Sequence, residues 1–566
     1  MLDVNQRSQR ARACEYRRRN MSLSTPFVVS SDSSPICIST EDSKRYLNIE
    51  EMTGPDDRSS TETCSVQIDP HILIPATSRE PQDIASVHGI CVIRSVSGNI
   101  EVPKDTELIV IPNGFELRND ARKLIETITS LRKKAGYGIL IYISGIAEPS
   151  MLALLAYMGA DIFDDVLPRA LGSNGVRCVP EGRIASDSDV TEINIDEMKR
   201  ECSKVKDFIK AGRLRELVDQ RASSSPFSTA VLRLLDKTEY EYMEEACDTA
   251  GGRFACNTTQ SLFRPEIMRF RKKILSDYRK PAHKRVLVLL PCSARKPYHT
   301  SKSHKAFASA IHTGDHDIYV HEVIVTSPLG AVPRELDVFF PANAYDIPVT
   351  GEWKCQEKEF IRELVSHIVG MGYDTVISHL GDGTDPLISD ICEMERTCVG
   401  DPISPASLKN LEAAVKEAAK QYPRETYNIE RTETMRSILS FQFGPDAADM
   451  IMEGSHVTGK FPYWKIFRGK DQIGMLTPER QMVSFTIEGA EILSSSGINK
   501  VEMNDFEIKG NLFAVGVTDA DDSIRVGDEV VITLNGKVKA VGVAQMSGRE
   551  MKDLSRGIAV KVRHRS

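Results

Sequence analysis

One short run of the chain concentrates residues able to do chemistry. PCSARKPYHTSKSH carries Cys292, Ser293, Arg295, Lys296, Tyr298, Ser301, Ser303 and His304. A thiol beside cations can ionise below its usual range and act as a nucleophile. A phenol or an ammonium can stabilise negative charge that develops on a reacting atom. Hydroxyls and an arginine can hold a carboxylate or another anion where a loop enters a helix. His304 is a candidate general base, with Glu335 and Asp382 as the alternative carboxylates. Each residue also has a plainer reading. Ser301 or Ser303 would cap a helix, Cys292 would pack beneath the loop, and the cations would be solvated. Spacing alone leaves both readings open.

The loop needs elements to hold it. It follows the apolar run RVLVLLP and precedes a helical pattern. Two further apolar runs, DIYVHEVIVTS and YDTVISHL, also end in polar loops, SPLGAVPREL and GDGTDP. In an open α/β sheet, ligands gather beyond the carboxyl ends of the strands. Residues 276–415 are therefore read as an α/β catalytic domain. Tyr345, Asp346 and Trp353, in the block YDIPVTGEW, are candidate substrate contacts, with Trp353 able to stack on a base. A lone tryptophan also fits a core position.

The rest of the 566-residue chain divides by pattern. Residues 1–65 hold ARACEYRRRN and two stretches rich in turn formers, which predicts a flexible leader. Residues 66–275 alternate apolar strands (ELIVIPNG, GILIYISG) with amphipathic helices, which predicts parallel pairing. Residues 416–498 read as a small α+β domain. Residues 499–566 alternate apolar and polar residues between Gly, Asn and Asp turns, and Asn535-Gly536 marks a hairpin. A small closed β-barrel fits that spacing. The fold class expected is thus multidomain α/β with a C-terminal β-barrel.

Composition narrows the function classes. The net charge is −8 and charged residues make up 27%, close to the globular average. No apolar run is long enough to span a membrane, and no apolar export segment opens the chain. A cytoplasmic protein with reduced thiols is expected. None of the 12 cysteines forms a CxxC pair, so no metal site is predicted. No GxxxxGK[ST] motif appears and no cofactor is predicted. From Val530 onward, eight Lys and Arg face two acids. Such a patch inside an acidic chain suits RNA phosphates.

Three resemblances give these patterns a family. NLFAVGVTDADDSIRVGDEVVI, AVGVAQMSGREM and GIAVKVRHR closely resemble the PUA domain, an RNA-binding barrel. This implies RNA contacts from Arg525, Lys537, Lys539, Arg549, Lys561 and Arg563. PCSxxKPYxxSxSH, with TSPLGAVPREL and YDIPVTGEW, resembles the archaeosine synthase family. That resemblance implies a tRNA substrate carrying 7-cyano-7-deazaguanine in its D-loop and free lysine as amine donor. Lysine's side-chain amine would add to the nitrile, and a radical-SAM partner would then cleave the adduct. Lys296 or Tyr298 would stabilise the nitrile nitrogen, and Arg295, Ser301 or Ser303 would hold the carboxylate of lysine. Cys292 could instead add to the nitrile as a thioimidate.

The third resemblance lies upstream. ISGIAEPSMLALLAYMGADIFDDVLPRALGSNG is similar to the last barrel strands of tRNA-guanine transglycosylases, with Asp164 at their nucleophile position. The zinc-binding CxCxxC of those enzymes is missing and the preceding stretch is short for a complete barrel. Residues 66–275 are therefore expected to be a degenerate transglycosylase-like domain with a vestigial Asp164. The alternatives are an active transglycosylase and a non-catalytic tRNA-binding subunit, and a homodimer is left open.

Overall fold

The computed structural model describes residues 2–18, 21–30, 36–41, 44–52, 61–67, 84–87, 89–93, 102–314, 316–349 and 353–566. They fall into two compact units. One comprises Met1–Ala246 with Phe513–Gly516 and Arg549–Ala559, and the other Cys247–Leu512 with Val517–Gly548 and Val560–Ser566.

The first unit opens with three antiparallel strands, β1 (Leu2–Ser8), β2 (Ala11–Arg18) and β3 (Met21–Ser24). This corrects the expectation of a flexible leader across residues 1–65. Arg12 is buried and its guanidinium clasps Asp161 through Nε at 2.8 Å and Nη2 at 3.0 Å. Arg132 donates to the same carboxylate at 2.7 Å. Buried charges persist only when paired, and here the partner lies far along the chain. Arg10 is buried over the Tyr242 ring, 3.9 Å from its centroid. The remaining strands described before residue 68 are Phe27–Val29 and an antiparallel set, Ile36–Glu41, Lys44–Met52 and Thr61–Gln67.

The main sheet of this unit uses β4 (Phe27–Val29), β5 (Ile90–Ile93), β6 (Leu108–Ile111), β7 (Leu140–Ile143) and β8 (Ile162–Asp164). All five run parallel, in the order β4-β8-β7-β6-β5, with Ile84–Val87 antiparallel at the edge. Among the described residues it is an open sheet of six strands. β6 and β7 are wholly buried, as continuous apolar runs in a parallel sheet should be. Helix α1 (Ala121–Ala135) crosses from β6 to β7, capped by the Asp120 side chain. Helix α2 (Pro149–Met158) crosses from β7 to β8. A hairpin, β9 (Val176–Val179) and β10 (Gly182–Ala185), leads to the helices α3 (Thr191–Lys210), α4 (Leu214–Arg221) and α5 (Pro226–Thr238).

The second unit is built on another α/β sheet. Its strands are β11 (Val286–Pro291), β12 (Val320–Thr326), β13 (Gly330–Pro333) and β15 (Thr375–Ser378), in the order β13-β12-β11-β15 with Glu395–Arg396 outermost. β11 sits centrally, parallel to β12 and β15. The short strand β14 (Tyr345–Asp346) pairs in parallel with Phe254–Ala255. Helix α6 (Pro265–Ser276) precedes β11 and α7 (Lys302–Ile311) follows its polar loop. The three apolar runs read from the sequence thus lie as neighbouring parallel strands of one sheet.

Beyond it, four antiparallel strands from Ser455 to Phe485 pack with the helices Tyr427–Phe443 and Ile487–Ser495. Trp464 and Ile466 point inward there while Tyr463 and Lys465 face out, the pattern of an ordinary half-buried strand. The C-terminal sheet carries the predicted hairpin. Asn535 and Gly536, both at positive φ, join Glu529–Leu534 to Lys537–Ala544. No helix among the described residues is long and apolar enough to cross a membrane.

Candidate active site

The loop after β11 starts at the carboxyl end of the central strand, where Cys292 is exposed. Lys296 folds back from this loop over the Tyr345 ring, its Nζ 4.0 Å from the centroid. A cation held over an aromatic face gains from the ring quadrupole. Tyr298 and Tyr345 are both buried and their hydroxyls bond to one another. Thr326 Oγ1, at the end of β12, lies 2.6 Å from the Tyr345 hydroxyl and accepts from Tyr298 at 3.2 Å. Burial holds the Lys296 ammonium below the usual lysine range, against the upward pull of Cys292 and Asp346. The Tyr298 phenol is pushed well up, by burial first and then by the negative charge Cys292 can carry. Cys292, Lys296, Tyr298, Tyr345 and Asp346 therefore form one cluster. Its members come from the loop after β11 and from β14, and Thr326 at the end of β12 supports them.

Other candidates are placed elsewhere or are already engaged. Ser301 caps α7 by accepting from the His304 amide at 3.2 Å, and Ser303 lies 3.3 Å from it. His304 is buried. Its Nδ1 accepts from Arg334 at 2.7 Å, which leaves the ring proton on Nε2. Burial and the Arg334 charge push this imidazole down to about 3, so it stays neutral with its basic lone pair occupied. His304 thus sits buried with its Nδ1 lone pair engaged by Arg334. Glu335, also buried, accepts from the Tyr278 hydroxyl at 2.7 Å and pairs with His321 at 3.4 Å. Asp382 is exposed and lies near Cys398 rather than the cluster. Trp353 is half-buried against the core, and Thr350, Gly351 and Glu352 lie outside the described residues. Ser293 donates to the Arg295 carbonyl at 3.0 Å, while the Arg295 side chain is exposed.

Sequence reasoning missed the support beneath the loop. His299 donates its backbone N–H to Asp337 at 2.8 Å, and its Nδ1 lies 2.9 Å from the same carboxylate. Arg334 clasps Glu322 through Nε at 3.0 Å and Nη2 at 2.7 Å. Glu322 also meets His312 at 3.0 Å. A glutamate inside a fully buried strand was the available signal, because such a charge requires a partner.

The PUA-like cations divide too. Lys537 and Lys561 are exposed and Lys539 is half-buried. Arg563 is bound to the buried Glu529 and donates to the Phe485 carbonyl at 2.9 Å. Arg549 pairs with Asp553 and Glu245, and Arg525 folds onto the Asp522 carbonyl at 2.7 Å. In the first unit, Asp164 is completely buried. It accepts from Tyr142 at 2.7 Å, from Ser144 at 2.6 Å and from the Gly145 amide at 3.1 Å.

An α/β sheet with a reactive loop at its central strand and a C-terminal barrel-like sheet define a multidomain enzyme with an RNA-binding module. Comparison with known proteins agrees. Residues 267–415 match the family model described as "Domain of unknown function (DUF5591)", and residues 500–565 match that of the PUA domain. The chain is 34% identical over 508 residues to archaeosine synthase subunit alpha of Methanosarcina acetivorans, covering 81% of this chain and 80% of that one. It is 32% identical over 466 residues to the same-named subunit of Thermoplasma acidophilum, covering 82% and 89%. A tRNA-guanine(15) transglycosylase of Methanobrevibacter smithii is 25% identical over 469 residues, covering 75% and 66%. The chain belongs to the archaeosine synthase family.

Proposed function

We propose that this chain adds the side-chain amine of free lysine to the nitrile of 7-cyano-7-deazaguanine in the D-loop of tRNA. The observation that carries the reading is the cluster of exposed Cys292 with Lys296, held over Tyr345 at the carboxyl end of β11. The Cys292 thiolate attacks the nitrile carbon, a C–S bond forms, and Lys296 protonates the nitrile nitrogen to give a thioimidate. Lysine's neutral amine then attacks the same carbon. A C–N bond forms, the C–S bond breaks as the thiolate departs, and the proton shed by the amine returns to Lys296, leaving an amidine-linked adduct. Lys296 suits the acid role because burial has already lowered its affinity for the proton. Asp346 and Arg295, both exposed beside the loop, are placed to meet the ammonium and carboxylate of the incoming amino acid.

Lys537, Lys539 and Lys561 supply cations for tRNA phosphates. A radical-SAM partner acts on the adduct afterwards. The first unit is the remnant of a transglycosylase. Complete burial and the donors Tyr142, Ser144, Gly145 and Val166 hold Asp164 away from a ribose, which speaks against base exchange. The test is turnover by the purified chain with labelled lysine and tRNA carrying the nitrile base, followed by mass spectrometry of the RNA. Lysine incorporation supports the reading. Its absence with an active tRNA substrate overturns it.

A further inference from the structure

The first unit contains a second site that this chemistry does not use. Beyond the carboxyl ends of the adjacent parallel strands β6 and β7 lies a cavity of about 280 Å³. Arg118 enters it from the segment after β6, and Ile146, Glu148, Ser150 and Met151 from the segment after β7. Arg183 of β10 and Phe227 of α5 close it. The two strand-end segments pack so tightly that a Cβ on Gly114 would lie 2.3 Å from the Ser144 carbonyl oxygen. The floor is therefore built rather than accidental.

Its charges do not cancel. Glu148 is held by Arg183 in a bidentate pair at 2.8 and 3.1 Å. Arg118 has no hydrogen-bonded partner among the described residues, and Arg183 crowds its charge further. Ser150 stands at the start of α2, is only 4% exposed, and its hydroxyl bonds to nothing in the described structure. The hydroxyl lines the cavity and is open to it, so a ligand there would find both Ser150 and Arg118 ready to bond. Pro149 opens α2 without an N–H, and the Met151 and Leu152 amides turn back to the Glu148 carbonyl, so the Ser150 amide is the group of this turn left to meet an anion. Ile146, Met151 and Phe227 add an apolar wall. The volume sits near the lower end of small-molecule sites, about 300 Å³.

We propose that this cavity is a phosphate site, in which Arg118 and the hydroxyl and amide of Ser150 hold the phosphate of a single nucleotide unit. The RNA backbone is the favoured source, and that preference rests on the functional reading above. The sugar or base attached to the phosphate lies against Phe227 and Ile146. A free nucleotide offers the same chemistry.

The test uses the full chain with Arg118→Glu, Arg118→Gln and Ser150→Val. Binding of a tRNA transcript is measured at several salt concentrations, and guanosine 5′-monophosphate and inorganic phosphate are titrated by calorimetry. If the phosphate comes from RNA, Arg118→Glu weakens tRNA binding tenfold or more and lowers the salt slope by about one. Arg118→Gln and Ser150→Val then weaken it several-fold. If it comes from a free nucleotide, the monophosphate binds the wild type and not Arg118→Glu, while tRNA affinity stays unchanged. The proposal is overturned if folded variants match the wild type in both arms. Neither arm involves lysine transfer, so a failure here leaves the catalytic reading standing, and a failure of turnover leaves this site standing.

Discussion

The Lys296 ammonium rests 4.0 Å from the centre of the Tyr345 ring, and the Tyr345 hydroxyl is in turn tied to Thr326 at 2.6 Å. A flexible side chain is thereby fixed beside an exposed thiol by residues from two other strand ends. Preorganisation of this kind reduces what the reaction must spend on orientation.

Replacing Cys292 separates covalent from direct addition. Cys292→Ala is expected to lower the rate of lysine transfer by about 10²-fold or more, because its step has no substitute nucleophile. Incubating the wild type with the nitrile-bearing tRNA in the absence of lysine should yield a protein–RNA conjugate on a denaturing gel. A rate within tenfold of wild type and no conjugate would show that lysine attacks the nitrile directly.

Lys296 sets the alkaline limb. Its ammonium titrates below the ordinary value of 10.5 because it is buried. As pH rises through that lowered value the proton donor is lost, so activity should fall on the alkaline side. Lys296→Arg should keep the charge and move the limb to higher pH, with a lower kcat from the displaced donor. A limb at the same pH in wild type and Lys296→Arg assigns it to another group.

His312 couples pH to stability. Burial opposes its charged form, but Asp317 and Glu322 raise the imidazolium to about 9. A folded-state value above the unfolded value of about 6.5 contributes stability that is complete below that pH. It is lost as pH rises through about 9. The melting temperature should therefore fall between pH 7 and 10, and His312→Gln should flatten that part of the profile. Parallel profiles for the two proteins would remove His312 from the account.

Asp164 predicts a stability effect without a catalytic one. Asp164→Asn turns an acceptor from Tyr142, Ser144, Gly145 and Val166 into a group that must also donate, at a fully buried position. A loss of about 1–3 kcal/mol in unfolding free energy is expected. Lysine transfer per folded molecule should remain near normal. A collapse of turnover at unchanged stability would restore a catalytic role.

The cations of the C-terminal sheet should separate into two kinds. Lys537→Ala and Lys561→Ala remove exposed charges and should each lower the salt slope of tRNA binding by about 0.7–1. Arg563→Ala strands Glu529 in the core and should destabilise the fold by about 3–5 kcal/mol. Equal effects of all three on the salt slope would contradict this division.

The chain announces some of these features and conceals others. The apolar run before Cys292 and the polar loop after it could be read directly, because a strand buried on both faces needs no charge and a strand-end loop can carry many. The Asn535-Gly536 hairpin was legible for the same local reason. Pairings across the sequence were not. Nothing near Arg12 says that Asp161 will receive it, so a fixed edge looked like a loose arm. Nothing near His304 says that Arg334 will occupy its lone pair. Residue types reveal which groups are able to react, whereas burial and distant partners decide which of them are free to.

Val531 and Val541 of the C-terminal sheet belong to the same continuous core as Leu287, Val323 and Tyr345 of the catalytic sheet. Among the described residues, one packed core joins the C-terminal sheet to the sheet that carries the Cys292 loop. Under the proposed function, the pair would work as a caliper, with jaws a set distance apart. A bound RNA is then selected by whether its modified base falls at that span, and lengthening or shortening the RNA between grip and base by one nucleotide should matter more than changing which nucleotide it is.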